Sequence, residues 1–150
     1  MLPILNMLNQ IGSTEVVKAY GLPALIAELA EEGISQNQVL REAGLSTLSD
    51  DLTIHERTAL FGAAQALSRR PQAALLAGQR QRISYYGAYG YALATSRTMR
   101  EAVGTGRAFL HLSGTLLQIS FQEENGEGVW LSHQPESLGP LLPFVAEYWR

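Results

Sequence analysis

Apolar residues recur at helical spacing over most of the chain, which predicts a largely helical domain. The predicted helices cover residues 1–12, 22–33, 35–43, 53–69, 71–78 and 99–112. Three of their starts carry a capping box, in which a Ser or Thr is followed three residues later by Gln or Glu. These boxes begin at Ser35, Thr53 and Thr98. Residues 14–20 are compatible with a strand or a helix, because two adjacent valines favour extended backbone.

Polar residues in the first half of the chain are expected to lie in solvent. Glu28, Glu31 and Glu32 fall outside the apolar face of the helix that follows Leu22, so we expect all three to be exposed. Residues 46–52 are expected to form a polar loop.

The hydrophobic period changes from helical spacing to strict alternation at residues 117–122, which is typical of a half-buried strand. Asn125-Gly126 then predicts a hairpin turn and a return strand. A two-residue loop would pair Phe121 with Trp130, whereas a three-residue loop would pair Phe121 with Val129. We expect the second register, because it places the apolar residues of both strands on one face. The fold class predicted is therefore α+β: mostly helical, with an antiparallel hairpin in the C-terminal half.

The C-terminal segment, Leu141 to Trp149, is too apolar to remain in water. A helix is expected from about Pro140, with Pro143 inside its first turn. It must bury against the domain or against a partner, and we expect it to be an uncovered patch of the domain that recruits another chain. We therefore expect a homodimer whose contact is either this segment or an edge of the hairpin.

The most unusual stretch runs from Tyr85 to Ala102. Gly87 and Gly90 lie three residues apart, which indicates either close packing of another backbone or the start of a helix. The tyrosines around them have two interpretations: packing within the fold, or the wall of a small-molecule pocket. The candidate ligand-binding residues are Tyr85, Tyr86, Tyr89, Tyr91, Arg82 and Trp130.

Composition and motifs exclude several classes of function. The 150 residues carry a net charge of −3 and no cysteine, which argues against nucleic-acid binding by this chain and removes thiolate chemistry. No apolar run is long enough for a membrane helix, and no secretory signal is evident. His55, His111 and His133 lack the spacing of metal ligands, and no nucleophile or phosphate-loop motif occurs. We therefore expect a cytoplasmic domain without catalytic residues, metal or cofactor.

Several blocks of the chain together resemble the N-terminal arabinose-binding-like domain of AraC-type transcriptional regulators. The blocks are Val39 to Leu45, Leu75 to Gly78, Tyr86 to Ser96 and Thr98 to Ala102. From Gly87 to Ala102 the chain looks like the family signature Gly-x-x-Gly-Tyr-x-x-x-x-Ser-x-Thr-hydrophobic-x-Glu-Ala. With the hairpin that follows, the resemblance covers about two-thirds of the chain.

The resemblance implies a bacterial sensor domain that binds an unidentified small-molecule effector, dimerises, or does both. In that family a C-terminal helix-turn-helix region binds DNA. No such region is evident in residues 1–150, so we expect one N-terminal domain, incomplete in this chain, that reaches DNA only through the missing region. A structural dimerisation module without a ligand is the alternative. The effector residues vary within the family, so none is carried over by position.

Overall fold

The computed structural model describes residues 16–133 and 136–150. The helix predicted for residues 1–12 lies outside this part. The described chain is α+β, with seven α-helices and two antiparallel two-stranded sheets. None of its helices is long and apolar enough to cross a membrane. Five helices supply most of the core: α1 (Leu22–Glu31), α2 (Gln36–Glu42), α3 (Ile54–Leu67), α4 (Ala73–Gln79) and α7 (Leu142–Tyr148).

Two of the predicted capping boxes are confirmed. At the start of α2, the Ser35 hydroxyl accepts from the Gln38 N–H at 3.3 Å, and the Gln38 side chain accepts from the Ser35 N–H at 2.8 Å. Thr53 and Glu56 make the same exchange at the start of α3. Each box satisfies two backbone donors that helix geometry leaves free, so these starts follow from local sequence. Helix α3 ends at Leu67, two residues earlier than expected.

The first sheet pairs β1 (Val16–Lys18) with β2 (Asp51–Thr53). Val17 lies opposite Leu52, and both side chains are buried. Of the two structures predicted for residues 14–20, strand or helix, the strand is therefore the one formed, at Val16–Lys18. The prediction of a polar loop over 46–52 is wrong at its end, because Leu52 anchors β2 in the core.

The C-terminal helix packs against its own domain. A 3₁₀ segment (Glu136–Leu141) leads into α7, and Leu141, Val145 and Tyr148 are buried. The Tyr148 ring meets the Phe61 ring of α3 edge-on, at 4.9 Å between centroids. The expectation that this segment forms an uncovered patch is therefore wrong, because these three side chains lie in the core and Phe144 and Trp149 pack against it.

The central stretch forms a peripheral layer of two helices, α5 (Gly87–Ala94) and α6 (Met99–Ala108). A 3₁₀ turn (Ile83–Tyr86) precedes α5, and another (Leu110–Ser113) follows α6, so the helix predicted through residue 112 ends at Ala108. The predicted box at Thr98 is only half formed. Thr98 accepts from the Glu101 N–H at 3.1 Å, but the Glu101 carboxylate accepts from the Arg97 N–H instead.

The second sheet is the hairpin of β3 (Gln118–Glu124) and β4 (Glu127–His133). Phe121 lies opposite Trp130, so the predicted three-residue loop is wrong. Asn125 and Gly126 both have positive φ, 53° and 81°, as in a type I′ two-residue turn. The predicted register assumed one buried face, but both strands are mostly exposed or half-buried. The turn therefore decides the register.

Glu28 is buried, although its position in the sequence predicts exposure. Its carboxylate lies 3.1 Å from Nη1 of Arg70 and 2.6 Å from Nε of Arg80. Arg70 precedes α4 and Arg80 follows it directly, and α4 packs on α1. This pair of cations and their hydrogen bonds offset the cost of burying the carboxylate charge.

Candidate functional site

Aromatic side chains gather around Tyr86, at the junction of the core and the peripheral helices. Its ring contacts Tyr20 edge-on at 5.9 Å and Tyr89 at 6.3 Å between centroids. Trp149 lies 6.4 Å away on the side of α7. We call Tyr20, Tyr86, Tyr89, Tyr148 and Trp149 the aromatic cluster. Segments from both ends of the described chain meet in it.

Hydrogen bonds fix the orientation of this cluster. The Tyr86 hydroxyl donates to the Gln81 side-chain oxygen, and the Gln81 amide donates to the Tyr148 carbonyl at 3.2 Å. The Tyr89 hydroxyl donates to the Gly106 carbonyl at 3.2 Å, which ties α5 to α6. Burial raises the pKa of Tyr86 to about 12 and also raises that of Tyr148. These hydroxyls therefore stay protonated at neutral pH.

Gly87 lets α5 begin directly against this cluster. Its φ is +53°, a region that L side chains rarely adopt. A Cβ at this position would lie 2.8 Å from the Tyr20 hydroxyl. The glycine is thus required both by the backbone turn into α5 and by the approach of Tyr20.

A fully buried guanidinium, that of Arg57 in α3, holds the backbone beside Tyr20. Its two terminal nitrogens donate to the carbonyls of Lys18 at 3.2 Å and Tyr20 at 2.8 Å. It also lies over the Phe61 ring, 5.7 Å from the centroid. Burial lowers the pKa of Arg57 to about 10, so the side chain remains charged at neutral pH. Arg57 has no carboxylate partner in the described part of the chain.

An open groove of about 450 Å³ lies on the outer side of this backbone. It is lined by Lys18, Ala19, Tyr20, Pro23, Leu48, Ser49, Asp50 and Tyr85. We call it the tyrosine groove, because Tyr20 and Tyr85 both line it. Its volume falls within the range of small-molecule sites in proteins. The carbonyls that Arg57 holds belong to two of its lining residues, so the groove rests on a fixed backbone.

The predicted ligand-binding residues do not form one site in this structure. Tyr85 lines the tyrosine groove, whereas Tyr86 and Tyr89 belong to the aromatic cluster behind it. Arg82 is exposed at the start of the 3₁₀ turn. Tyr91 is 72% exposed on α5, and Trp130 is 53% exposed on the hairpin.

Sequence reasoning missed the residues that join the groove to the core. Tyr20 and Lys18 lie in the segment left open between strand and helix, and Asp50 lies in the expected loop. Arg57 shares a helix with the predicted core residues, but nothing in its sequence neighbourhood indicates burial. The one available sequence signal for this region was Tyr20, an aromatic residue shortly before Pro23, where a helix was expected to begin. The pairing of β1 with β2, which joins these segments, is a long-range contact and leaves no local trace.

Other kinds of site receive less support. A second groove of about 400 Å³ lies beside Arg69, Arg70 and Phe144, away from the aromatic cluster. No group of three or more His, Asp or Glu residues able to hold a metal ion occurs in the described residues.

A known protein family matches most of the chain. The family described as the N-terminal arabinose-binding domain of AraC transcription regulators matches residues 33–149. The chain belongs to this family. The matched residues include α5, α6, the hairpin and α7. They also include Asp50, Arg57 and Tyr85 of the groove region. Lys18 and Tyr20 precede the matched residues.

A relative of this AraC-type domain is the ornithine utilization regulator of Pseudomonas aeruginosa, 25% identical over 140 residues. The alignment covers 90% of this chain and 41% of that regulator, so the chain spans less than half of the relative's length. No solved structure matches the chain significantly.

Proposed function

We propose that this AraC-type domain senses a small-molecule effector in the tyrosine groove. The observation that carries the proposal is the groove itself: aromatic walls, a few polar groups and a backbone floor held by buried Arg57. This is the usual composition of a small-molecule site. Binding would shift the populations of conformers in the domain, and so change how DNA-binding regions elsewhere in the regulator meet their sites. The role proposed is regulatory rather than enzymatic, in the cytoplasm.

DNA contact is proposed to lie outside these residues. The chain is acidic, with a net charge of −3, whereas DNA-binding surfaces are normally basic. Membership of the AraC family implies a separate DNA-binding region. The Pseudomonas relative is named for ornithine utilization, so amino acids and their breakdown products are the first effectors to screen.

A thermal-shift screen tests the effector site. A ligand at about one hundred times its Kd adds about 2.7 kcal/mol of stability, which raises the Tm of a domain this size by several degrees. We expect such a shift for the wild type and for Ser46→Trp. We expect none for Ser49→Trp, because Ser49 lines the groove and the added ring fills it.

Ser46 is the matched control, since it lies in the same exposed loop but does not line the groove. A ligand that raises the Tm of Ser49→Trp as much as that of the wild type would mean that the effector binds outside the tyrosine groove. A broad metabolite screen without any hit would favour the ligand-free dimerisation module.

Self-association through the hairpin is the second role proposed. The hairpin presents Trp130, 53% exposed, with its ring 4.9 Å from that of Phe121. Among the described residues, β3 and β4 form backbone ladders only with each other, and the outer edges of such strands favour pairing with another chain. Since α7 packs against its own domain, we propose the hairpin as the surface of self-association.

Light scattering after size-exclusion chromatography tests this contact. We expect the wild type at twice the monomer mass of 16.4 kDa, and Trp130→Glu at the monomer mass. Val16→Glu is the control, because Val16 is 61% exposed on the other sheet. A wild-type monomer at high concentration would refute self-association. A dimer that survives Trp130→Glu would place the contact elsewhere.

A further inference from the structure

The charges around the tyrosine groove are unequal. The Lys18 ammonium lies 2.6 Å from the carboxylate of Asp51, the residue opposite it in the sheet. Asp51 does not line the groove, so the lysine charge is engaged by a partner outside it. Asp50 does line the groove and forms no ion pair with any described residue. These three residues leave one net negative charge at the groove.

The Lys18 ammonium is already paired with a carboxylate, that of Asp51. Its pKa is raised, first by the hydrogen bond from its ammonium to Asp51 and then by the charge of Asp51. The charge of Asp50 contributes less in the same direction. An anionic ligand would therefore compete with Asp51 for this ammonium while meeting the repulsion of Asp50.

Besides the Asp50 carboxylate, the groove offers aromatic rings, which also attract cations. Tyr20 and Tyr85 both line the groove. The Tyr20 ring also packs edge-on against the Tyr86 ring, with 5.9 Å between their centroids. The faces of aromatic rings attract cations, and do so more strongly where water is partly excluded. A carboxylate next to such rings favours an amine over a neutral or anionic group of the same size.

We infer that the tyrosine groove selects a small amine, whose ammonium group pairs with Asp50 and packs against Tyr20 and Tyr85. The inference rests on the proposed function, in that it names the chemical class of effector for the same groove. Leu48 and Pro23 offer apolar surface for the carbon chain that carries the amine. Lys18, held by Asp51, also lines the groove.

Three five-carbon probes of equal length test the class of ligand: 1,5-diaminopentane, 1,5-pentanediol and pentanedioate. Calorimetric titration of the wild-type chain at low ionic strength is expected to give binding for the diamine alone. Asp50→Asn is expected to weaken diamine binding by about tenfold or more, since the amine loses its anionic partner. Glu124→Gln makes the same change in net charge on the exposed hairpin and is expected to bind as the wild type does.

The outcomes separate this inference from the function on which it rests. Absence of diamine binding, or equal binding by Asp50→Asn and the wild type, would overturn the amine assignment. Pentanedioate binding that Ser49→Trp abolishes would overturn it too, while supporting the groove as the effector site. Diamine binding that both Asp50→Asn and Ser49→Trp abolish would support the inference and the proposed function together.

Discussion

Gly90→Leu is expected to reduce the free energy of unfolding by about 3 kcal/mol or more, because side-chain atoms at this position overpack the fold. A Cβ on Gly90 would overlap the carbonyl oxygen of Ile83 and lie 3.0 Å from its carbonyl carbon. The Cβ of Tyr86 would be 3.1 Å away. These atoms belong to the 3₁₀ turn that folds back on α5, and two of the three are backbone, which cannot rotate away.

A pair of alanine variants isolates this steric effect from helix propensity. Gly90→Ala is expected to destabilise the domain. Gly104→Ala, in the exposed middle of α6 with no atom within 4 Å of its added Cβ, is expected to stabilise it by about 0.5–1 kcal/mol. Urea unfolding followed by circular dichroism measures both. Equal, stabilising effects would show that the turn does not pack on Gly90.

Local sequence predicted the parts of the fold that local chemistry determines. Ser35 and Thr53 begin helices because their side chains satisfy backbone donors within three residues. Glu28 was misplaced because its burial depends on Arg70 and Arg80, which lie 42 and 52 residues further along the chain. Nothing within one helical turn of Glu28 indicates those partners.

The hairpin shows which of two local signals is the stronger here. Pairing the apolar residues on one face favoured Phe121 opposite Val129, but that argument holds only when one face is buried. Residues 122–128 are exposed and Val129 is only half-buried, so register gains little from burial. The positive φ angles of Asn125 and Gly126 fit the two-residue turn, and this turn places Phe121 opposite Trp130.

The candidate site was predictable only in part for the same reason. The tyrosines of the central stretch stand out by composition, and they do lie at the groove or in the cluster behind it, apart from Tyr91. Asp50 and Tyr20 join them through the pairing of β1 with β2, which the sequence does not specify locally. Arg57 joins through hydrogen bonds to the backbone carbonyls of Lys18 and Tyr20, which any residue type at those two positions could accept.

Arg57→Met is expected to reduce the free energy of unfolding by about 3 kcal/mol, although methionine fills much of the same volume. Replacing a buried ion pair with apolar residues is often harmless, because both charges are removed together. Here the partners are the carbonyls of Lys18 and Tyr20, which remain after the substitution and lose their donors. Each of these carbonyls that is left without a donor and shielded from water costs about 1–3 kcal/mol.

Chemical denaturation of Arg57→Met beside Arg41→Met measures this cost. Arg41 is exposed on α2, so its replacement is expected to change stability by no more than about 0.5 kcal/mol. Because the same carbonyls lie in the floor of the tyrosine groove, Arg57→Met is also expected to weaken effector binding, even at temperatures where the variant is fully folded. A variant as stable as the wild type would mean that the two carbonyls find other donors. A destabilised variant with unchanged effector affinity would mean that Arg57 supports the fold without shaping the groove.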